Sequence, residues 1–117
     1  MQYICLIYKN ESVGPMPGSE EFGAYIQAYQ EFTEQVTKDG VMVAGDALQS
    51  VSTATTVTNH QGKVETTDGP FAETKEQLGG YYLLDCKDLD EAIQYAAKIP
   101  SAAHGRIEVR PVMVFDN

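Results

Sequence analysis

The chain has 117 residues, the size of one domain with a core of its own. Its 43% apolar and 21% charged content is ordinary globular composition and excludes a disordered chain. Seventeen Asp and Glu against eight Lys and Arg give a formal net charge of −9, which repels phosphate backbones and anionic bilayers and so argues against nucleic-acid or membrane docking.

Residues 2–8, an apolar and aromatic run, predict a first strand. Residues 10–18 hold Gly14, Gly18, Pro15 and Pro17 and predict a loop. Ser19 is a good N-cap, and Glu20 and Glu21 follow in the first turn, where the helix dipole favours acids. Phe22, Tyr25, Ile26, Tyr29, Phe32 and Val36 then recur at three- and four-residue steps, one apolar stripe on a helix that Gly40 stops. Residues 41–44 predict a second strand. Residues 53–58 and 64–67 predict a polar, β-branched hairpin, with Asn59-His60-Gln61-Gly62 as a type I turn. Its few large apolar residues make the hairpin peripheral.

Asp68-Gly69-Pro70-Phe71 is expected to be a turn anchored by Phe71, and residues 72–78 a short helical turn. Gly79-Gly80 leads into a strand from Tyr81 to Cys86. Asp88 caps a second helix with Glu91 three residues on, and Leu89, Ala92, Ile93 and Ala96 form its inner stripe up to Pro100. Residues 106–115 form the last strand, with Pro111 marking a sheet edge. Without the hairpin the order is βαββαβ, an α+β ferredoxin-like arrangement in one domain, 1–117.

Both helices of that fold cover one sheet face, so each strand ought to alternate apolar and polar. The central strands do not. Tyr3, Cys5 and Ile7 oppose Ile4, Leu6 and Tyr8, and Tyr81 and Leu83 oppose Tyr82, Leu84 and Cys86. A wet face of this kind exceeds what monomers usually expose, and a homodimer is the expected cover. The alternative is that the hairpin or the loop 10–18 folds across it.

Cys5 and Cys86 sit in apolar strands and read as buried, reduced thiols. The N-terminus lacks the basic leader and cleavage site of a signal peptide, and no apolar run approaches a membrane span, so a cytoplasmic location is expected.

Candidate site residues are sparse. Asp68 is either an Asx-turn residue or a ligand-binding or proton-transfer carboxylate beside Phe71, and it is the one candidate catalytic group. Lys75, among Glu73 and Glu76, is first a solvated ion pair and second a contact for an anionic ligand. Arg110 shares a strand face with Glu108, where cross-strand pairing is the default and clamping of a carboxylate the alternative. His60 falls at the hairpin tip, and His104, beside Gly105, is the better site candidate. The tyrosines at 25, 29, 81 and 82 read first as core, and at this density as pocket-lining hydroxyls for a small polar ligand, with Tyr25 and Tyr81 the ones chosen. No HxH, HExxH or CxxC spacing points to a metal, and no phosphate loop or Walker sequence to a nucleotide. No cofactor is expected.

The stretch Thr67-Asp68-Gly69-Pro70-Phe71-Ala72-Glu73-Thr74-Lys75-Glu76-Gln77-Leu78-Gly79-Gly80-Tyr81-Tyr82 resembles the signature of the DGPF branch of the YCII-related proteins. Residues 3–8, 45–48, 53–57 and 107–112 resemble the family's opening, middle and final strands. The resemblance implies a dimeric α/β-barrel type of ferredoxin-like domain with a cleft between sheet and helices or at the dimer interface, rimmed by residues 68–78. It leaves open whether the chain is an enzyme. It also implies a second reading, a regulatory partner in an extracytoplasmic-function sigma-factor system, since some members are encoded beside such factors. Members of the wider group are proposed to use a His early in the first helix and an Asp before a proline ending the second. Here the first helix has no His, and Ile99 precedes Pro100. That acid–base chemistry is therefore not carried over.

Overall fold

The computed structural model describes residues 1–115. The elements are β1 (Gln2–Lys9), α1 (Glu20–Lys38), β2 (Met42–Ala47), β3 (Thr55–His60), β4 (Lys63–Asp68), β5 (Gln77–Asp85), α2 (Leu89–Ala96) and β6 (Arg106–Pro111), with 3-10 turns at Val51–Thr53 and Pro100–Ala103. A four-stranded sheet runs β2-β5-β1-β6, and all its neighbouring pairs are antiparallel. This is the ferredoxin-like order, with the first and third core strands in the middle and Pro111 closing the edge strand. The hairpin β3–β4 forms a sheet of its own.

Local chemistry explains the helix ends. The Ser19 side chain accepts a hydrogen bond from the Phe22 N–H at 3.1 Å, and that of Asp88 accepts from the Glu91 N–H at 2.9 Å. Gly40 follows the cap of α1 with φ 76°, the left-handed position at which glycine meets no steric penalty. The core joins Tyr3, Cys5 and Ile7 of β1 to Tyr82 and Leu84 of β5, under Phe32 and Val36 of α1 and Ala92 and Ala96 of α2. Both cysteines are buried and free.

Several boundaries differ from the sequence reading. The hairpin turns one residue later than expected. His60 pairs with Lys63, and Gln61 and Gly62, at φ 54° and 85°, form the loop. Two central residues at positive φ match the twist of the flanking strands, which a type I turn would not. Residues 72–76 form no helical turn, and β5 already begins at Gln77. The last strand ends at Pro111, whose nitrogen faces the open edge of the sheet, where no ladder bond is lost, and the Val112 N–H still donates to the Gln2 carbonyl at 2.9 Å. On α2 Ala92 and Ala96 are buried and Tyr95 packs against the core, while Leu89 and Ile93 are about half exposed.

The molecule is flat and extended, 48 × 46 × 19 Å. Its radius of gyration is 16.3 Å, against about 13 Å for a compact domain of this length. The projecting hairpin accounts for the excess, since β4 is exposed throughout and Val57 and Val64 lie open on one of its faces. Neither the hairpin nor loop 10–18 is packed into the core. On the sheet face away from the helices, Ile4, Leu6, Tyr8, Tyr81 and Leu83 are only partly covered. Among the described residues no helix is long and apolar enough to cross a membrane.

Candidate functional site

The apolar stripe of α1 is not buried evenly. Phe32 and Val36, in its C-terminal half, are sealed against the sheet, whereas Phe22, Tyr25 and Tyr29 are only partly covered. The N-terminal half of the helix therefore stands off the sheet. Between them lies a cavity of about 470 Å³. Its floor is backbone and small residues, Gly45 and Ala47 of β2 with Gly79 and Gly80 of β5, and its walls include Ile7, Phe22, Ile26 and Met42. A Cβ on Gly45 would lie 2.8 Å from Cδ1 of Tyr82 and 3.0 Å from Cε of Met42.

Hydroxyls line this cavity. Tyr25, Tyr29 and Thr33 stand at successive four-residue steps along one side of α1, about 6 Å apart along its axis. Across from them sits Ser101, 2% exposed and the one buried polar residue among those described. The hydroxyls of Tyr25 and Tyr29 both hydrogen-bond to Ser101 Oγ, the latter at 2.5 Å. One turn further on, Thr33 Oγ1 lies 2.8 Å from the Tyr82 hydroxyl. The rings of Tyr25 and Tyr29 meet edge-on at 5.2 Å, and Lys9 Nζ lies 5.1 Å from the Tyr25 ring centroid.

Ser101 gets there by a tight backbone approach. Pro100 opens the 3-10 turn, and the Ser101 carbonyl accepts the N–H groups of His104 and Gly105. A Cβ on Gly105 would fall 2.0 Å from the Tyr8 carbonyl oxygen, so only glycine lets this turn close against β1. Burial raises the pKa of Tyr29, and Tyr25 adds to the effect while the Ser101 hydrogen bond offsets part of it. Tyr29 thus keeps its phenolic proton.

The carboxylates of the cavity are already engaged. Glu11 accepts from Ser50 Oγ and from the Val51 N–H, and Asp46 accepts from the Tyr81 hydroxyl at 2.8 Å, a bond that raises the Tyr81 pKa. Gln77 is engaged at both ends, accepting from the Glu11 N–H and donating to the Thr74 carbonyl. Asp46 accepts this bond at Oδ2 alone, so the cavity offers a carboxylate acceptor beside its hydroxyls. Among the described residues no group of three or more His, Cys, Asp or Glu gathers to hold a metal ion.

The structure separates the residues singled out from sequence. Tyr25 and Tyr81 line the cavity, although alternation along β5 turns the Tyr81 side chain away from Tyr82 and the helices. His104 stacks edge-on to Tyr25 at 6.3 Å without lining the cavity, and is itself exposed. Asp68 ends β4 paired with Thr55, in the open. Phe71 is 90% exposed, so it forms no wall beside Asp68. Lys75 is exposed, and Glu76 pairs with Arg106 at 3.0 Å rather than with Lys75. Arg110 reaches Glu108 two residues away on its own strand at 3.8 Å. Of the expected rim, residues 68–78, only Gln77 lines the cavity.

Thr33 and Ser101 escaped the sequence reading. Thr33 has a signal, a four-residue step continuing from Tyr25 and Tyr29. Ser101 has a weaker one, a lone hydroxyl directly after a helix-breaking proline. The helix and the Pro100 turn, where the resemblance looks for a His and an Asp, do meet, but through Tyr25, Tyr29 and Ser101.

The YCII-related domain matches residues 1–116. An uncharacterized protein of Rhizobium meliloti (strain 1021) is 35% identical over 117 residues, covering 98% of this chain and 94% of its own. Among solved structures, 5-chloro-2-hydroxyhydroquinone dehydrochlorinase (TftG) from Burkholderia phenoliruptrix AC1100, in complex with 2,5-dihydroxybenzoquinone, superposes with a TM-score of 0.52. That likeness covers 97% of this chain and 94% of the other at 14% identity, and it shows the shared ferredoxin-like fold. The chain belongs to the YCII-related family.

Proposed function

We propose that this protein binds a small, partly apolar ring compound in the cavity between α1 and the sheet, and does so as a homodimer. The observation that carries the first part is the cavity itself, with apolar walls converging on the Tyr25–Tyr29–Ser101 hydroxyls. Concave apolar sites with a few placed polar groups are what small-molecule binding requires. The dehydrochlorinase that shares the fold is described with a one-ring ligand, a size this cavity also accommodates. The sigma-factor reading calls for a flat recognition surface and leaves such a cavity without a purpose.

Support for the dimer comes from the opposite sheet face. Ile4, Leu6, Tyr8, Tyr81 and Leu83 remain partly exposed there, and Val43 is open beside them. Next to them Arg106, Glu108 and Arg110 alternate in sign along β6. A mixed-charge strand bordering an apolar field is self-complementary across a two-fold axis.

A thermal-shift screen of phenols, aromatic acids, lactones and quinones tests the binding reading. A ligand at 100 times its Kd stabilises the fold by about 2.7 kcal/mol, a clear rise in melting temperature. A blank across all four classes would sink the proposal.

A further inference from the structure

Among the described residues Lys9 is the one cation that lines the cavity. It ends β1, and alternation along the strand sends its side chain toward the helices, like those of Cys5 and Ile7. Its ammonium reaches across to α1, where Nζ lies 5.1 Å from the centre of the Tyr25 ring. The base of the side chain is tied to the Pro100 turn. A Cβ on Gly105 would lie 2.8 Å from Lys9 Cβ, and the Gly105 N–H donates to the Ser101 carbonyl at 2.8 Å. Lys9 and the Tyr25–Tyr29–Ser101 hydroxyls therefore stand at the same end of the cavity.

The charge at that end has no counterion in the chain. The ion pairs among the described residues use Asp85, Glu65, Glu76 and Glu108, and none includes Lys9. Lys9 is half-buried, and a ring face replaces only part of the hydration an ammonium gives up. The nearby carboxylate of Glu11 is held at both oxygens, by the Ser50 hydroxyl and the Val51 N–H. Asp46 keeps one oxygen open, but on β2, two strands away from Lys9. On a chain of net charge −9, this is a local reversal of sign beside apolar walls, where a low dielectric strengthens the attraction.

We infer that the ligand is a monocarboxylic acid bound as its anion, with Lys9 holding the carboxylate and Phe22, Ile26 and Met42 enclosing the apolar body. The inference rests on the binding reading above and adds the ligand's charge. A single cation matches a single negative charge, and Lys9 is the specificity-determining residue.

Titration calorimetry of the full chain at neutral pH tests it with three probes that share one body: para-toluate, para-toluamide and para-methylbenzylamine. The toluate is expected to bind at least about tenfold more tightly than the amide, the worth of a hydrogen bond to a charged group, and the amine is expected to bind no better than the amide. Lys9→Met, which keeps the length of the side chain, is expected to erase the preference while the amide's affinity stays within about twofold. Lys9→Arg is expected to retain it. Lys75→Met removes an exposed lysine outside the cavity and is expected to change nothing, which separates a local contact from the loss of net charge. Equal affinity for toluate and amide, tighter binding of the amine, a preference that survives Lys9→Met, an equal loss in Lys75→Met, or no binding of the toluate overturns the inference. If phenols or quinones raise the melting temperature in the broad screen while acids do not, only the anionic ligand falls. If that screen is blank in all four classes, the binding reading falls with it.

Discussion

Replacing Ser101 with Ala removes the atom on which two tyrosines converge. Ser101 is 2% exposed, and its Oγ is bonded to the hydroxyls of Tyr25 and Tyr29. Deleting it leaves the Tyr29 hydroxyl inside the fold without that partner. An unpaired buried polar group costs about 1–3 kcal/mol. Losing the desolvated serine hydroxyl returns some of this, so a net destabilisation of about 1–2 kcal/mol is expected. For a domain of this size that lowers the melting temperature by roughly 4–8 °C. Urea unfolding monitored by circular dichroism reads it directly. The double variant Ser101→Ala/Tyr29→Phe distinguishes the cause. With the orphaned hydroxyl also gone, it is expected to be less destabilised than the sum of the two singles by about 1 kcal/mol. Strict additivity, or a Ser101→Ala effect below about 0.5 kcal/mol, would refute the claim that the hydroxyl cluster is a coupled unit.

Gly45→Ala places a Cβ against Tyr82 and Met42. It is expected to cost about 1–3 kcal/mol by overpacking and to abolish ligand-induced thermal shifts by displacing Tyr82 into the cavity. Leu6→Asp puts a charge in the middle of the uncovered sheet face, opposite Tyr81 and Glu108. Light scattering is expected to show a dimer for the parent chain and a folded monomer for the variant. A monomeric parent would reject the dimer. Raised pKa values make stability fall at high pH. Burial lifts the Cys5 thiol to about 11, with Cys86 adding to it, and a hydrogen bond to Asp39 lifts Tyr95 to about 12. These groups stay protonated in the folded chain while the unfolded chain ionises, so their stabilisation is intact below their ordinary pKa values and is lost as pH rises through the folded ones. The urea midpoint is expected to hold to about pH 8.5 and to fall between about pH 9 and 12. Tyr95→Phe is expected to flatten the upper part of that fall.

Strand order and the unpartnered sheet face were legible because they rest on periodicity. Short runs apolar on both faces at β1 and β5, a stripe at three- and four-residue steps on α1 and Pro111 at an edge leave few arrangements open. The cavity was not legible in the same way. Phe22, Tyr25 and Tyr29 carry the same stripe as Phe32 and Val36, and nothing in the spacing says that one half of the helix lifts from the sheet. Gly45, Gly80 and Gly105 permit that architecture through backbone approach, which leaves no trace in a hydrophobic pattern. Asp68 and Phe71 sit in a distinctive local run, and both stand in the open, away from the lining of the cavity. Ser101 matters through contacts 76 and 72 positions away, and no local reading finds a partner at that distance.

The most direct test of a ligand site under α1 is amide chemical-shift mapping by NMR, titrating a hit from the thermal-shift screen into the labelled protein. The expected result is a contiguous set of saturable shifts at residues 25–33, Gly45, residues 79–82 and the turn from Ser101 to Gly105. Shifts confined to residues 68–75, or scattered over the surface without saturation, would contradict it.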